Sequence, residues 1–222
     1  MNSSHSKGLA PHTARIIEAI SKLECIKPFV LVGGTALSLQ LGTRQSEDLD
    51  FMSWRRNKTE KREVDWPIIK KELETIGNIQ KFDILDIDHI ECVVNDVKLS
   101  FYANPNYSPV VSEIPFLNNI RLADPLSIGA MKMEVLLRRS KFRDFYDIYS
   151  LVEAGYDINE MINLALKYSG HRLKSKNLLA LLTRADRFIE DKNFKTLKPI
   201  YNVTSKDIEL KLKQVLSREG RG

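Results

Sequence analysis

The sequence predicts an α+β fold: a mixed β-sheet with flanking helices in the front half, followed by a helical C-terminal half. Three observations predict it. Short apolar or alternating runs bounded by Gly, Pro and Asn are confined to the stretch before Pro125, as strands require. Beyond Pro125 the apolar residues recur every three or four positions, which is the helical period. The 222 residues are 43% hydrophobic and 28% charged, enough apolar material for one generous domain or two small ones. That balance excludes collagen-like, coiled-coil and largely disordered chains. We expect an α/β core over 1–122 and a helical region over 123–222.

The elements follow in order. Ala14, Ile16, Ile17, Ile20 and Leu23 share one helical stripe, stopped by Lys27-Pro28. Phe29-Val30-Leu31-Val32 is a short apolar run that reads as a buried strand, and Gly33-Gly34 breaks it. Thr35 is the expected N-cap of a short helix, Ala36 to Leu41, with Gly42 at its C-terminal end. Asp48-Leu49-Asp50-Phe51-Met52 alternates polar and apolar, the signature of a half-buried strand. The polar, basic stretch from Arg55 to Arg62 reads as loop. Trp66-Pro67 opens a helix with Ile68, Ile69, Leu73 and Ile76 on its apolar positions. Ile84 to Ile87, Ile90 to Val94 and Val97 to Tyr102 read as three short strands, with Asn95-Asp96 at hairpin spacing between the last two. Pro105, Pro109 and Pro115 mark an irregular connection. Helices are then expected over Met131 to Arg139, Phe142 to Ala154, Ile158 to Tyr168 and Asn177 to Ile189, and Ser205 caps a final one, Lys206 to Leu216.

Charge and cysteine usage narrow the class. Thirty-four Lys and Arg against 29 Asp and Glu leave a net charge of +5, which suits a phosphate-bearing partner without proving one. Cys25 and Cys92 cannot build a disulfide framework or a four-ligand zinc site, so they read as free thiols in a reducing compartment. The opening residues lack the apolar segment of a secretory leader, and the longest uncharged run, Phe29 to Thr43, is too short to span a bilayer. A soluble cytoplasmic protein with no membrane partner is expected. His5, His12, His89 and His171 show no metal-ligand spacing. Neither a Gly-x-Ser-x-Gly nor a Walker-type motif occurs, and no Cys–His arrangement argues for a covalent nucleophile. The basic stretches Trp54 to Lys58 and His171 to Lys176 either track a nucleic-acid backbone or are solvated loops and helix ends. Phe145, Ile148, Tyr149 and Val152 are spaced as core, not as a stacking platform.

Chemistry concentrates in Gly33-Gly34-Thr35 followed by Asp48-Leu49-Asp50. A strand that runs into Gly-Gly and a helix start exposes backbone N–H groups at a positive dipole end, where phosphate oxygens approach closely. Residues two apart in a strand point the same way, so Asp48 and Asp50 share one face while Leu49 and Phe51 enter the core. Two carboxylates on one rigid edge are the hard oxygen ligands that a pair of Mg²⁺ ions needs for phosphoryl transfer. Either half alone has a bland reading, a tight turn or a surface Asp-x-Asp; the ordered combination is far rarer by chance.

Gly33-Gly34-Thr35-Ala36-Leu37 with Arg44-Gln45-Ser46-Glu47-Asp48-Leu49-Asp50-Phe51 resembles the first motif of the AbiEii/AbiGii-type nucleotidyltransferases, of the DNA polymerase β-like superfamily. Lys132, Arg139 and Arg143-Asp144-Phe145-Tyr146-Asp147-Ile148-Tyr149 look like that family's later Lys…Arg-Asp-x-x-Asp motif. Together the matches run from about Val32 to Leu151. The resemblance implies a nucleotidyltransferase-type sheet and Mg²⁺-dependent transfer of a nucleoside monophosphate from a nucleoside triphosphate (NTP) to an acceptor, tRNA or other RNA. It also implies a toxin role, in phage defence or opposite a cognate antitoxin. Asp48 and Asp50 are then metal ligands and catalytic, with Lys132 and Asp147. Gly33, Gly34, Thr35, Arg44, Ser46, Lys132 and Arg139 bind the nucleotide. On a continuous helix Lys132, Arg139, Arg143 and Asp147 fall close in angle, so the cations could hold a triphosphate or RNA backbone and Asp147 could orient a base or a cation. A new helix capped at Ser140 would void that arithmetic, and the cluster could equally be internal Lys/Arg–Asp pairs on a helical face.

One position departs from the superfamily pattern. A third carboxylate is called for on a following strand, and Ser100 stands there, in Val97 to Tyr102. A serine hydroxyl cannot act as a base at neutral pH. Either two acids suffice, or Asp96 or Asp147 substitutes, or activity is weak or lost. The alternatives are therefore a catalytically inactive nucleotide- or nucleic-acid-binding protein of the same fold, and a transferase acting on a small molecule of antibiotic type.

Overall fold

The structure is a computed structural model that describes residues 7–55, 57, 59, 63–169 and 172–219. Of the residues singled out above, His5, Arg56, Lys58, Arg62 and His171 lie outside the described ones, as do 60 and 61 of the expected basic loop. The chain separates into two compact units, Met1–Asp124 and Pro125–Gly222.

The first unit is built on one mixed sheet. Helix α1 (Pro11–Ser21) starts with Pro at its first position and buries Ile16, Ile17 and Ile20. Then come β1 (Val30–Val32), α2 (Gly33–Leu41), β2 (Leu49–Arg55), α3 (Trp66–Leu73), β3 (Ile79–Asp86), β4 (His89–Val94), β5 (Val97–Tyr107), β6 (Glu113–Leu117) and β7 (Ile120–Ala123). The strand order is β3-β4-β5-β2-β1-β7-β6. Strand β1 runs antiparallel to β2 and parallel to β7, and β2 runs parallel to β5. In that last pair Leu49 lies opposite Leu99 and Phe51 opposite Phe101, so one face of the central strands is solid core. Phe101 stacks on Phe51 at 5.2 Å and takes the edge of Phe29 at 5.3 Å.

Several boundaries differ from expectation for identifiable reasons. The Asn95-Asp96 hairpin forms, with φ of 49° and 66° at its two residues. Asn and Asp tolerate the left-handed region that a type I′ turn needs, so glycine is not required. The region of Pro105, Pro109 and Pro115 is not irregular throughout: β5 continues through Pro105, and Pro115 sits inside β6. Strand β6 is at the sheet edge, where a missing N–H is tolerated. Pairing between β2 and β5 slips where Pro105 falls, from Trp54 opposite Asn104 to Arg55 opposite Tyr107.

The second unit is helical: α4 (Pro125–Val135), α5 (Phe142–Glu153), α6 (Ile158–Tyr168), α7 (Ser175–Leu182) and α8 (Ser205–Glu219). Helix α4 stops four residues short of Arg139, and α7 stops at Leu182 rather than Ile189. The cap of α8 is Thr204, not Ser205: its hydroxyl accepts from Asp207 N at 3.2 Å, while its own amide donates back to Asp207 Oδ2 at 2.8 Å. Phe145, Ile148, Leu151, Met161, Leu178 and Leu212 are fully buried, and Phe145 stacks on Phe188. Among the described residues no helix is long and apolar enough to cross a membrane.

Candidate active site

Val32 ends β1 in extended conformation, φ −125° and ψ −167°, and α2 begins directly at Gly33 with φ +70°. This helix start is three residues earlier than expected. Val32 offers no side-chain cap, so the first amides of α2 are not capped by the preceding residue. Thr35, expected to cap, lies inside the first turn, and its hydroxyl donates to the Asp48 carbonyl and lies 2.8 Å from Ser46 Oγ. The glycines are needed by space as well as by backbone. A Cβ on Gly33 would lie 2.9 Å from Asp50 Oδ2, and one on Gly34 would collide with the Arg44 guanidinium.

These contacts bring the first motif together in one place. In register Asp50 faces Val32 across β1 and Ser100 across β5. Its carboxylate leans over Gly33 and accepts a hydrogen bond from Ser100 Oγ at 2.9 Å. Asp48 is exposed just before β2, while Leu49 and Phe51 are buried on the other side, as the alternation requires. The site then separates into two layers. Gly33, Gly34, Asp48 and Asp50 are accessible, whereas Thr35, Arg44 and Ser46 are buried beneath them. Arg44 lies against Gly34 and donates to the Gln45 carbonyl at 2.9 Å.

A brace that no local signal reveals holds this loop from the other side. Ala10 N donates to the Ser46 carbonyl and Ser46 N to the Gly8 carbonyl, both at 2.9 Å. Buried Thr13 of α1 donates to the Glu47 carbonyl at 2.6 Å. The loop carrying Asp48 is thereby tied to the chain's early residues through backbone groups, which depends on tertiary placement rather than on sequence pattern.

The later motif assembles in the second unit as Lys/Arg–Asp pairs across a helix break, the alternative the sequence left open beside a single helix. Because α4 ends at Val135 and α5 begins at Phe142, with Lys141 rather than Ser140 preceding it, the single-helix angles do not apply. Lys132 Nζ lies 2.8 Å from Asp144 Oδ1 and 2.8 Å from Asp147 Oδ2, with the two carboxylates 0% and 1% exposed. Arg139 adds a contact of 3.2 Å to Asp144 and is itself half exposed. Arg143 leaves the group and pairs with Asp191. Asp144, which meets both Lys132 and Arg139, is thus the centre of the cluster.

The acid expected near Ser100 is not supplied by Asp96. That residue lies in the β4–β5 turn, four positions before Ser100, roughly 13 Å along a strand, and its carboxylate accepts from Gln80 Nε2 at 2.5 Å. The carboxylate next along the row is Glu91 on β4, opposite Ser100 in register, paired with Lys98 at 2.9 Å. A pair register of this kind is legible only once the strands are aligned.

The donor set fits Mg²⁺ in a particular way. Among the described residues no group of three or more His, Cys, Asp or Glu side chains is placed to hold a metal. Two accessible carboxylates with an adjacent hydroxyl are nevertheless the usual protein share of a Mg²⁺ site, which is completed by water and substrate phosphates. An uncapped helix start beside them presents amide donors and the positive end of its dipole to those same phosphates.

Comparison with known proteins bears on the family and the fold. The model of a family described as nucleotidyl transferase AbiEii toxin, type IV toxin–antitoxin system, matches residues 15–212. A protein of Aquifex aeolicus whose function is uncharacterised is 24% identical over 208 residues, covering 90% of this chain and 94% of its own. A crystal structure of a candidate nucleotidyltransferase from H. pylori superposes with a TM-score of 0.54 at 17% identity, over 94% of this chain and 95% of that one. MenT4, a nucleotidyltransferase toxin of Mycobacterium tuberculosis, superposes with a TM-score of 0.57 at 16% identity, over 96% and 87%.

Proposed function

We propose, from the premise that this chain belongs to the AbiEii nucleotidyltransferase toxin family, that it moves a nucleoside monophosphate from an NTP to an acceptor hydroxyl. The acceptor oxygen bonds to the α-phosphorus, the bond from that phosphorus to the bridging oxygen breaks, pyrophosphate leaves and the hydroxyl proton is released. The observation that carries the reading is the approach of the Asp50 carboxylate to Gly33 at the open start of α2, with Asp48 beside it.

In this reading the α2 amides at Gly33 and Gly34 receive triphosphate oxygens, and buried Arg44 adds positive charge beneath Gly34. Thr35 and Ser46 fix the helix start and the loop to each other, so their part in nucleotide binding is to hold the amides in place. Asp48 and Asp50 would hold Mg²⁺, which when bound neutralises phosphate charge and polarises the reacting oxygens. Ser100 orients Asp50 through its hydrogen bond. Within Pro125–Gly222 we assign Lys132 and Arg139 to phosphate charge, with Asp147 orienting the Lys132 ammonium. RNA, tRNA included, is the acceptor class favoured by the net charge of +5. Family membership supports a cognate antitoxin as partner and a cytoplasmic setting. Ser100 in place of a third acid favours a second reading, a protein that binds the nucleotide without turning it over.

The test incubates the protein with Mg²⁺, each labelled NTP and total cellular RNA, beside an Asp48→Ala/Asp50→Ala variant. Label entering RNA only with the intact pair is the expected result. Full transfer by the variant would sink the site assignment, and triphosphate binding without pyrophosphate release would favour the second reading.

A further inference from the structure

Asp50 is paired in register with both β1 and β5, whereas Asp48 stands one residue before β2 begins. The sheet that fixes Asp50 therefore does not fix the approach to Asp48. Three consecutive carbonyls there are held from outside the sheet. Ala10 N donates to the Ser46 carbonyl at 2.9 Å, the Thr13 hydroxyl to the Glu47 carbonyl at 2.6 Å, and the Thr35 hydroxyl to the Asp48 carbonyl. Two of the three donors come from residues 8–13.

Packing alone does not account for the residues of this segment. Thr13 falls on the buried stripe of α1 with Ile16, Ile17 and Ile20, and is itself 0% exposed. A valine would fill nearly the same space with no hydroxyl to satisfy, so it is the bond to Glu47 that calls for threonine. At the other end Gly8 has φ +90°, and a Cβ on it would lie 2.2 Å from the Ser38 carbonyl oxygen of α2. The segment is thus pressed onto the backbone of α2, while the Gly8 carbonyl and the Ala10 amide grip Ser46. It ties the helix whose start faces the phosphates to the loop that carries Asp48.

We propose that residues 8–13 are a positioning brace for Asp48, with Thr13 as its positioning residue. The brace sets where the Asp48 carboxylate stands against the start of α2, and thereby the affinity of the carboxylate pair for a divalent cation. This role rests on the Mg²⁺ site proposed above and adds to it a residue that touches neither metal nor substrate. Groups that orient metal ligands from behind are commonly worth about ten- to a hundredfold in metal affinity.

Mn²⁺, which takes the same oxygen ligands as Mg²⁺, is the probe. Its binding to the full chain, without nucleotide, is followed by electron paramagnetic resonance. Thr13→Val should bind roughly tenfold more weakly than the parent, and Thr13→Ser, which keeps the donor, should bind nearly as the parent does. Ile17→Val, one turn further along α1, is the control. It removes a buried methyl without touching the loop, so its melting temperature should fall while Mn²⁺ binding stays unchanged. In an Asp48→Ala background Thr13→Val should make no further difference, because the carboxylate it positions is gone. Parent-like binding by Thr13→Val, or a further loss in the Asp48→Ala background, overturns the proposal and leaves the transferase reading standing. A parent that holds no Mn²⁺, or holds it equally well as Asp48→Ala/Asp50→Ala, removes the metal assignment and the brace's role together. Should Thr13→Val fail to fold, Gly8→Ala puts the same question by pushing the brace off α2. It should weaken Mn²⁺ binding by a similar factor, and unchanged binding there overturns the proposal.

Discussion

Gly33 is held at φ +70° with a carboxylate oxygen 2.9 Å from where a Cβ would be. Gly33→Ala should therefore cost about 1–2 kcal/mol of stability, read as a lower urea midpoint, and should displace Asp50 and depress transfer. Ser100→Ala takes the donor from Asp50 Oδ1 without opening a core void. We expect roughly a tenfold loss of transfer with a near-unchanged melting temperature; unchanged transfer would mean that Ser100 does not position Asp50. Lys132→Met leaves two almost fully buried carboxylates without their shared cation. The expected destabilisation is about 3–5 kcal/mol, so lost activity in that variant has to be judged beside its unfolding curve. Asp191 is held below the ordinary carboxylate range chiefly by the hydrogen bond from Arg143. A depressed folded value stabilises fully above the unfolded value near about 3.9 and is lost as pH falls through the folded one. Gly33, Gly34, Asp48 and Asp50 were legible because they form one ordered pattern, strand to Gly-Gly to helix to alternating strand, in a single stretch of chain. Thr13, Asp144 and Glu91 were not, because what gives each its place is 12 or 34 residues away or across a sheet.

Helix ends decide how the later motif is arranged. After Val135 two three-residue bonds appear, Leu137 N to the Glu134 carbonyl and Arg138 N to the Val135 carbonyl, and Arg139 N shares that last carbonyl. The break resets the helical phase, and so Asp144 rather than Arg143 meets Lys132. Arg138-Arg139-Ser140-Lys141 contains neither Gly nor Pro, so a break before Phe142 was legible but its start at Val135 rather than at Arg139 was not. The sheet shows the opposite case: Pro115 reads as a breaker but is tolerated on edge strand β6. Periodicity placed α6 correctly at Ile158–Tyr168 because Asp157 caps it and its apolar stripe has no competitor. At α8 the cap falls one residue before the expected Ser205. Thr204→Ala should lower stability by about 1 kcal/mol, measured as a shift in thermal midpoint, whereas Ser205→Ala should leave it within a few tenths.

The division of the molecule into Met1–Asp124 and Pro125–Gly222 follows the composition of the chain, since strands belong to the first stretch and long helices to the second. It was legible as a change of period near Pro125, while the seven-strand order was not, because strand neighbours such as β2 and β5 are distant in sequence. The division also distributes the chain's own reporters unequally. Both tryptophans, Trp54 and Trp66, and both cysteines, Cys25 and Cys92, fall in the first unit. Both thiols are buried, and burial pushes Cys92 up to about 12, so neither should react with a thiol reagent at pH 8 until that unit opens. Indole fluorescence and thiol labelling will therefore follow the sheet alone, while circular dichroism at 222 nm will be weighted toward the helices after Pro125. In urea we expect these signals to move at different concentrations. A single experiment would then record two unfolding events in one unlabelled chain, each with its own spectroscopic voice.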